Sequence, residues 1–526
     1  MLLALFNRIG ELNPQLFREI KGRFITRNLW VTFFSSLFGQ ILLLLSCSKQ
    51  NCLNYVGYEC TQLNWEFRWQ IIYRILNWIL PLLLLTSGVY GLTNDVAQEE
   101  RKGTLNFIRF SPQSSQSILL GKILGVPSLL YLGIALTIPL HLGSALVAGL
   151  PLSSVIGIYA LWGVGCYLFY NAALLYTVQN SPKIDAKTLA GSASLLACLA
   201  GLAYIGTIDF AFEWYQPKIT ECLIPAPPSD GINNYNLGSC KTTGGANWLW
   251  FFLPIGNQPV FAYGLALVTV GVAGYWYWQA LNRRFRSLDA TLISKQQSYW
   301  LVASFELWLL GFAVSELKPI ANDTTLVGFG LLFFLTPIFF LILMPSLTPS
   351  YQALLDWSRY KHLEYKNQKY PLIRDLILGE KSPAIVAIAL NLLMTAIIWL
   401  PWMLLWLQKH WSQNMQSHQV LLGWFITMNA ILIYVAIAEL LRLTKLPNWL
   451  IVAFTGISGI LLGLAVIASI AANQPHFTQF LLLLSPFPIL SLGFGAVATT
   501  FLGSIAQLGI LALLSLQLTK KMQKIG

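Results

Sequence analysis

Residues able to catalyse a reaction or hold a metal are sparse in this chain. Its five histidines are scattered and form no His-x-x-x-His pair, the spacing that places two metal ligands on one helix face. Gly121-Lys122 lacks the upstream glycine and the following Ser or Thr with which a nucleotide-binding loop cradles phosphate and Mg²⁺. No serine stands in a nucleophile-elbow motif. The sequence therefore predicts no catalytic residue, no metal site and no cofactor bound by the chain itself, and so not an enzyme.

One acidic residue, Glu306, lies in the apolar stretch YWLVASFELWLLGF. A carboxylate inside a membrane-spanning helix is costly and should face the helix bundle or water. Two interpretations stay open. Either Glu306 binds a substrate cation or a proton, or it makes a structural contact with a polar group on a neighbouring helix.

Five of the seven cysteines fall in two long segments, 47–70 and 208–255, which are predicted to lie outside the membrane. The outer compartment permits disulfides, and Cys222–Cys240 is the natural candidate pair. Because five is odd, one thiol stays free or pairs across the two segments.

The most distinctive stretch, called here the charged segment, is residues 94–122, NDVAQEERKGTLNFIRFSPQSSQSILLGK. It begins with acids, turns basic and breaks at Gly103-Thr104, and Pro112 interrupts it again. An apolar stripe follows the first break, formed by Leu105, Phe107, Ile108 and Phe110. Such a segment is suited to contacting another protein at a membrane surface.

The overall composition indicates which structural elements hold these residues in place. Hydrophobic residues make up 56% of the 526 and charged residues only 10%, whereas a soluble protein has about 25% charged residues. Apolar runs of about 20 residues recur, each long enough to span a bilayer as a helix. The sequence predicts an all-α polytopic membrane protein. We expect twelve spans, at 29–46, 71–93, 123–147, 153–179, 187–207, 256–281, 299–316, 324–346, 383–407, 420–441, 449–471 and 489–518.

Charge distribution sets the orientation of these spans. With the N-terminus inside, the segments on the cytoplasmic side hold 26 of the 33 Lys and Arg residues. This asymmetry predicts cytoplasmic N- and C-termini. It also accounts for the net charge of +12 without a nucleic-acid partner.

The sequence also indicates an internal repeat. Ser117–Leu136 and Asp375–Leu393 both place a Leu-Gly pair and a Lys before an apolar helix with an early proline. We therefore expect two six-helix halves, the second of them degenerate. The predicted divisions are 1–28, an amphipathic interface helix; 29–281, the first half; 282–298, a cytoplasmic linker; and 299–526, the second half.

The charged segment from Glu99 to Lys122 resembles the first cytoplasmic loop of ABC-2 type transporter permeases. That family shows an acidic residue, then Gly-Thr-Leu, an apolar stripe, a Ser/Thr-Pro and a Gly-Lys at the next helix. The matching residues here are Glu99, Gly103, Thr104, Leu105, Pro112, Gly121 and Lys122. The twelve expected spans depart from the family's usual six-helix subunit.

The resemblance implies a separate ATPase partner, with ATP and Mg on the partner and a coupling helix of this chain docked into it. The expected docking residues are Glu99, Glu100, Arg101, Gly103, Thr104, Leu105, Phe107 and Pro112. A diverged second docking loop is expected within 347–382, with Trp357, Arg359, Arg374 and Glu380.

The expected function is thus the permease subunit of an ATP-binding-cassette exporter in a bacterial inner membrane. The expected partners are cytoplasmic ABC ATPase subunits and the lipid bilayer. Either one chain supplies both transmembrane halves as a pseudo-dimer, or two chains pair. The alternative is a stand-alone, proton-coupled secondary transporter that uses Glu306. A third class is a membrane scaffold or a lipid-modifying enzyme without a visible site.

Overall fold

The computed structural model describes most of the chain. The described residues are 10–11, 13–56, 59–181, 184–214, 219–225, 235–241, 249–256, 258–287, 290–314, 325–365, 372–410, 417–443, 470, 475–485, 487 and 497–525. They fall into two compact units, unit 1 with residues 1–248 and 254–288, and unit 2 with residues 249–253 and 289–526.

Unit 1 contains nine helices and two β-hairpins among its described residues. Its helices are α1 (Pro14–Arg23), α2 (Thr26–Ser46), α3 (Trp69–Arg101), α4 (Thr104–Arg109), α5 (Ser115–Gly125), α6 (Ser128–Val147), α7 (Leu152–Asn180), α8 (Ala186–Trp214) and α9 (Pro259–Arg286). Its strands are β1 (Ser48–Val56), β2 (Glu59–Phe67), β3 (Ile219–Pro225) and β4 (Tyr235–Lys241).

The described secondary structure of unit 2 is helical apart from an isolated β-bridge between Trp250 and Leu253. Its helices are α10 (Lys295–Val314), α11 (Thr325–Leu347), α12 (Tyr351–Tyr365), α13 (Leu372–Leu378), α14 (Ile385–His410), α15 (Ser417–Arg442), α16 (Pro475–Leu484) and α17 (Val497–Ile525). Within this unit α10 packs against α11, α13 and α14, and α15 packs against α14 and α17.

The helices make this chain a multi-pass membrane protein. Among the described residues, nine helices are long and apolar enough to cross a bilayer: α2, α3, α6, α7, α8, α9, α14, α15 and α17. The pair Leu332–Leu347 and Tyr351–Arg359, bent by 65°, would add a tenth. The expected span at 449–471 lies almost wholly outside the described residues.

The central helix of unit 1 is α3, which packs against α6, α7 and α8. Ile72, Leu76, Leu80 and Leu84 recur every four residues, so they form one buried stripe against α7. The apolar run predicted a span ending at residue 93, yet α3 continues to Arg101. The polar extension is stabilised locally, since Gln98 Nε2 donates to Asn94 Oδ1 at 3.1 Å.

The all-α prediction omitted two hairpins. The first long segment, predicted to lie outside the membrane, forms β1 and β2, and the second contains β3 and β4, each pair antiparallel. Cys222 lies opposite Gly238, and Cys240 lies opposite Thr220, so the two cysteines occupy neighbouring strands two positions out of register. Their disulfide stays a prediction.

Residues 249–253 form a tight turn, across which Trp250 and Leu253 exchange two backbone hydrogen bonds of 3.0 and 2.9 Å. Phe251 has a φ of 52° there, a conformation that an α-helix does not contain.

A candidate docking helix and its buried charge cluster

The charged segment folds as the end of α3, a tight turn, the short helix α4 and the start of α5. The turn forms where the sequence predicted a break. Gly103 adopts a φ of 73°, the left-handed region in which glycine carries no steric penalty. Its N–H donates to Glu100 O at 3.0 Å, and Thr104 Oγ1 donates to Glu99 O at 3.1 Å.

The apolar stripe of α4 divides into two faces. Leu105 and Ile108 are buried, at 1% and 7% exposure. Phe107 and Phe110 project outward, at 81% and 90% exposure. Residues three apart share one helix face, which explains the pairing within each face. Leu105, one of the expected docking residues, packs inside unit 1, whereas Phe107, another of them, is exposed together with Phe110.

Polar contacts fix α4 against the rest of unit 1. Arg109 Nη1 lies 3.2 Å from Glu100 Oε1, and the guanidinium stands 5.1 Å from the centre of the Phe285 ring on α9. At the start of α5, Ser115 Oγ accepts a hydrogen bond of 3.1 Å from Arg286 Nε, again on α9. Helix α4 is therefore held from α3 and from α9.

A buried lysine lies at the base of the charged segment. Lys122 Nζ is 2.8 Å from Glu19 Oε1, 2.6 Å from Asp95 Oδ2 and 2.7 Å from Glu99 Oε1. Arg18 adds an ion pair of 2.9 Å to Glu99, and Arg23 adds one of 2.9 Å to Asp95. These six residues, Arg18, Glu19, Arg23, Asp95, Glu99 and Lys122, are called here the charge cluster.

The charge cluster joins three helices of unit 1. Arg18, Glu19 and Arg23 lie on α1, the two other acids on α3, and the lysine on α5. Gly121 and Gly125 let α1 approach α5 closely. A Cβ atom at Gly125 would lie 2.5 Å from Glu19 Cβ, and one at Gly121 would lie 2.9 Å from Gln15 Cβ. Small residues four apart commonly permit such helix contacts.

The three carboxylates also have the spacing of a metal site, because ligand oxygens of Glu19, Asp95 and Glu99 lie within 4.8 Å of one another. The ammonium of Lys122 already lies within hydrogen-bond distance of all three acids. Three acids face three cations, so the cluster has no net charge left to attract a metal ion. The arrangement fits a structural junction and does not fit a metal.

The cluster shifts the pKa values of its two most buried members. Burial alone raises the pKa of the Glu19 carboxyl, but attraction to the three cations outweighs burial and leaves it below its ordinary value of 4.5. Burial alone lowers the pKa of Lys122, but attraction to Asp95 and Glu19 outweighs it, so the net pKa rises above 10.5. Both groups are therefore charged throughout the neutral range.

Of the remaining residues expected in the first docking site, Arg101 and Pro112 are exposed, whereas Glu99 and Glu100 are partly buried. Arg101 Nη1 forms an exposed ion pair of 2.7 Å with Asp185 Oδ1, before α8. Pro112 is exposed in the turn between α4 and α5. Glu100 is occupied with Arg109, and Glu99 with the charge cluster. Both of these expected docking acids thus form ion pairs within unit 1.

The second expected docking loop forms α12 and α13, with residues 366–371 outside the described part. The indole of Trp357 on α12 donates to Asp375 on α13. Arg359, Arg374 and Glu380 are exposed. Lys295 stabilises the end of α13 and the turn after it. Its Nζ donates hydrogen bonds to Leu376 O, Ser382 Oγ and Pro383 O at 2.8, 2.6 and 2.9 Å.

Lys295 differs from Lys122 in its environment. Its three hydrogen-bond acceptors are neutral. Burial lowers its pKa to about 8, although Glu439 and Asp375 partly offset that effect. Lys122, at the base of the charged segment, therefore stays charged through the neutral range, whereas Lys295 loses its proton more readily than an ordinary lysine.

Glu306 is fully buried in unit 2. Its Oε2 accepts hydrogen bonds from Trp399 Nε1 at 2.9 Å and Thr336 Oγ1 at 3.3 Å, and Thr395 Oγ1 lies 3.5 Å from its Oε1. Both earlier interpretations are compatible with these contacts, since the residue has polar neighbours on α11 and α14.

Sequence reasoning missed most of the charge cluster. Lys122 and Glu99 were singled out for other reasons, while Glu19, Asp95 and the two arginines were not. Two signals pointed to them: the acids Asp95 and Glu99 stand four apart on one helix face, and Gly121 and Gly125 mark a close helix approach. The chain matches no protein-family model, no curated protein and no solved structure.

Proposed function

We propose that this protein is the permease subunit of an ATP-binding-cassette exporter, of the ABC-2 type, and that a separate ATPase subunit docks on α4. The observation that carries the proposal is the exposed pair Phe107 and Phe110, on and directly after the short helix α4, which follows the candidate membrane-spanning helix α3. Large exposed aromatic side chains are typical anchors of protein interfaces.

The charge cluster supports the coupling role. It joins α1 to α3 and α5, the helices before and after α4, through ion pairs centred on the buried ammonium of Lys122. A force applied to α4 by an ATPase would therefore pass to α3, which packs against α6, α7 and α8 in unit 1. ATP and Mg²⁺ would be bound by the partner, and this chain would convert the partner's motion into altered access to the membrane interior.

We further propose twelve spans arranged as two six-helix halves, with both termini in the cytoplasm of a bacterial inner membrane. The excess of Lys and Arg in alternate loops supports this topology. In that topology α4 and the α12–α13 loop would each face the cytoplasm, where an ATPase could bind. The chain would then be a pseudo-dimer with one full docking helix and one diverged copy, and a homodimer is the other arrangement to test.

A proton-coupled secondary transporter is the second candidate function. The observation that favours it is Glu306, a fully buried carboxyl group with polar neighbours on α11 and α14. The two candidates differ in their source of energy.

The experiment that separates them is reconstitution of the purified chain in liposomes, with and without the ATPase encoded nearest to its gene. ATP hydrolysis that depends on both proteins supports the permease. Substrate movement by the chain alone, driven by a proton gradient, supports the secondary transporter and contradicts the first proposal.

A further inference from the structure

A continuous seam of buried polar side chains runs between α10 and α14 in unit 2. Asn391 Nδ2 donates to Ser298 Oγ at 3.0 Å. One turn further along α14, Thr395 Oγ1 donates to the backbone oxygen of Asn391 at 3.1 Å and lies 3.5 Å from Glu306 Oε1. All four residues are fully buried. Most buried polar groups are paired, and apart from Asn391 Oδ1, which has no partner among the described residues, the contacts along this seam constrain where its hydrogens lie.

The first constraint concerns Oε2 of Glu306. The indole nitrogen of Trp399 is a donor only, and it lies 2.9 Å from this oxygen. Thr336 Oγ1 lies 3.3 Å from the same oxygen. Oε2 accepts both hydrogen bonds and therefore behaves as the carbonyl oxygen of the carboxyl group.

The second constraint concerns Oε1. The hydroxyl of Thr395 has one hydrogen, which the shorter contact assigns to the backbone oxygen of Asn391. Towards Glu306, Thr395 then offers only a lone pair. A carboxylate would leave two oxygen lone pairs facing each other, whereas a carboxylic acid would donate its O–H to Thr395.

The third constraint is the charge around Glu306. No cationic side chain contacts it in the part of the chain that the structure describes. Helix α11 contains no titratable residue, and α14 contains only Lys409 and His410, at its last two positions. On α10 itself the other titratable residues are Lys295 and Tyr299, whose side chains donate to Ser382 Oγ and Ile377 O. Helix α13, which packs near the Lys295 end of α10, contains Arg374 and Asp375. An ionised Glu306 would therefore be an uncompensated buried charge.

We propose that Glu306 is a reversible proton-binding site, occupied in this packing, with the proton carried on Oε1. On release, the O–H bond breaks, the proton passes to water and the carboxylate remains among α10, α11 and α14. The uncompensated charge then favours opening of the seam to water. The site gives unit 2 a response to pH, whether the chain works with an ATPase or alone.

The test is infrared spectroscopy of the purified full-length chain over a pH series. A protonated carboxyl group has a carbonyl band at higher frequency than a carboxylate. We expect such a band at neutral pH in the wild type, its loss at alkaline pH, and its absence in Glu306→Gln. The amide of Glu306→Gln reproduces the hydrogen-bond pattern of the neutral acid, so we expect no shift in melting temperature at neutral pH.

Thr336→Val provides a second variant that keeps the carboxyl group. Removing one hydrogen bond to Oε2 should move the acid band to higher frequency without abolishing it. The proposal is overturned if wild type and Glu306→Gln have identical acid bands, which would mean that Glu306 is ionised or holds a metal cation. It is equally overturned if the band does not change between neutral and alkaline pH.

Discussion

The ammonium nitrogen of Lys122 lies 2.8 Å from Oε1 of Glu19, a residue 103 positions earlier in the chain. This contact fastens the amphipathic helix α1 to α5, and the same nitrogen also holds two acids at the end of α3. The helix α4, which presents Phe107, therefore begins five residues after Glu99, the last residue of α3 in this junction of three helices.

Lys122→Met should be strongly destabilising because it leaves three partly buried carboxylates without their shared partner. Breaking a buried ion pair by removing one member costs about 3–5 kcal/mol. Lys102→Met is the matched control, since Lys102 is exposed and the same substitution there should change stability by about 0.5 kcal/mol or less. Thermal unfolding in detergent measures both. Equal losses in the two variants would mean that the cluster contributes nothing.

The contribution of Glu19 to the free energy of unfolding should decrease in acid, and that of Lys122 should decrease in alkali. Its pKa is below 4.5 in the folded protein, so the stability it supplies is complete above pH 4.5 and is lost as the pH falls through the lowered pKa. The pKa of Lys122 is raised, so its contribution is complete below pH 10.5 and is lost as the pH rises through the raised pKa.

The measurement is the difference in melting temperature between wild type and Glu19→Gln across this range. We expect this difference in melting temperature to be constant between pH 4.5 and 10.5 and to become smaller below pH 4.5. A difference that grows on acidification would show that ionised Glu19 destabilises the junction.

Gly125→Ala should push α1 away from α5. The added Cβ would meet Glu19 Cβ at 2.5 Å, so the Glu19–Lys122 contact must lengthen. Overpacking of this kind costs about 1–3 kcal/mol. Gly143→Ala in α6 is the control, because its Cβ would have no heavy atom within 4 Å and alanine is the better helix former. Melting temperatures that fall equally in both variants would contradict the close approach.

The hydropathy of the sequence was enough to predict most helices, because a spanning helix must be apolar along its length. The break at Gly103 was also predictable, since glycine favours the left-handed conformation that α3 needs to turn. The charge cluster was not, because Glu19, Asp95 and Lys122 meet only after three helices pack. The hairpins were missed for a related reason: their short polar strands have little hydrophobic pattern.

The two faces of α4 illustrate the same limit. The sequence marks Leu105, Phe107, Ile108 and Phe110 as one stripe, and only the packing decides which pair is buried. Leu105→Ser should therefore cost about 2–5 kcal/mol through the lost burial. Phe107→Ser should change stability by about 0.5 kcal/mol or less, since its side chain is exposed. Chemical or thermal unfolding compares the two, and a larger loss for Phe107→Ser would reverse the assignment of faces.

The central claim is that Phe107 and Phe110 dock an ATPase subunit. Its most direct test is the affinity between the purified chain and the ATPase encoded nearest to its gene, measured for wild type and for the double variant Phe107→Ser/Phe110→Ser. Phe252→Ser is the matched control, because Phe252 is equally exposed but lies outside the charged segment. We expect at least a tenfold loss of affinity in the double variant, none in the control, and unchanged melting temperatures in both. Unaltered binding by the double variant would contradict the account.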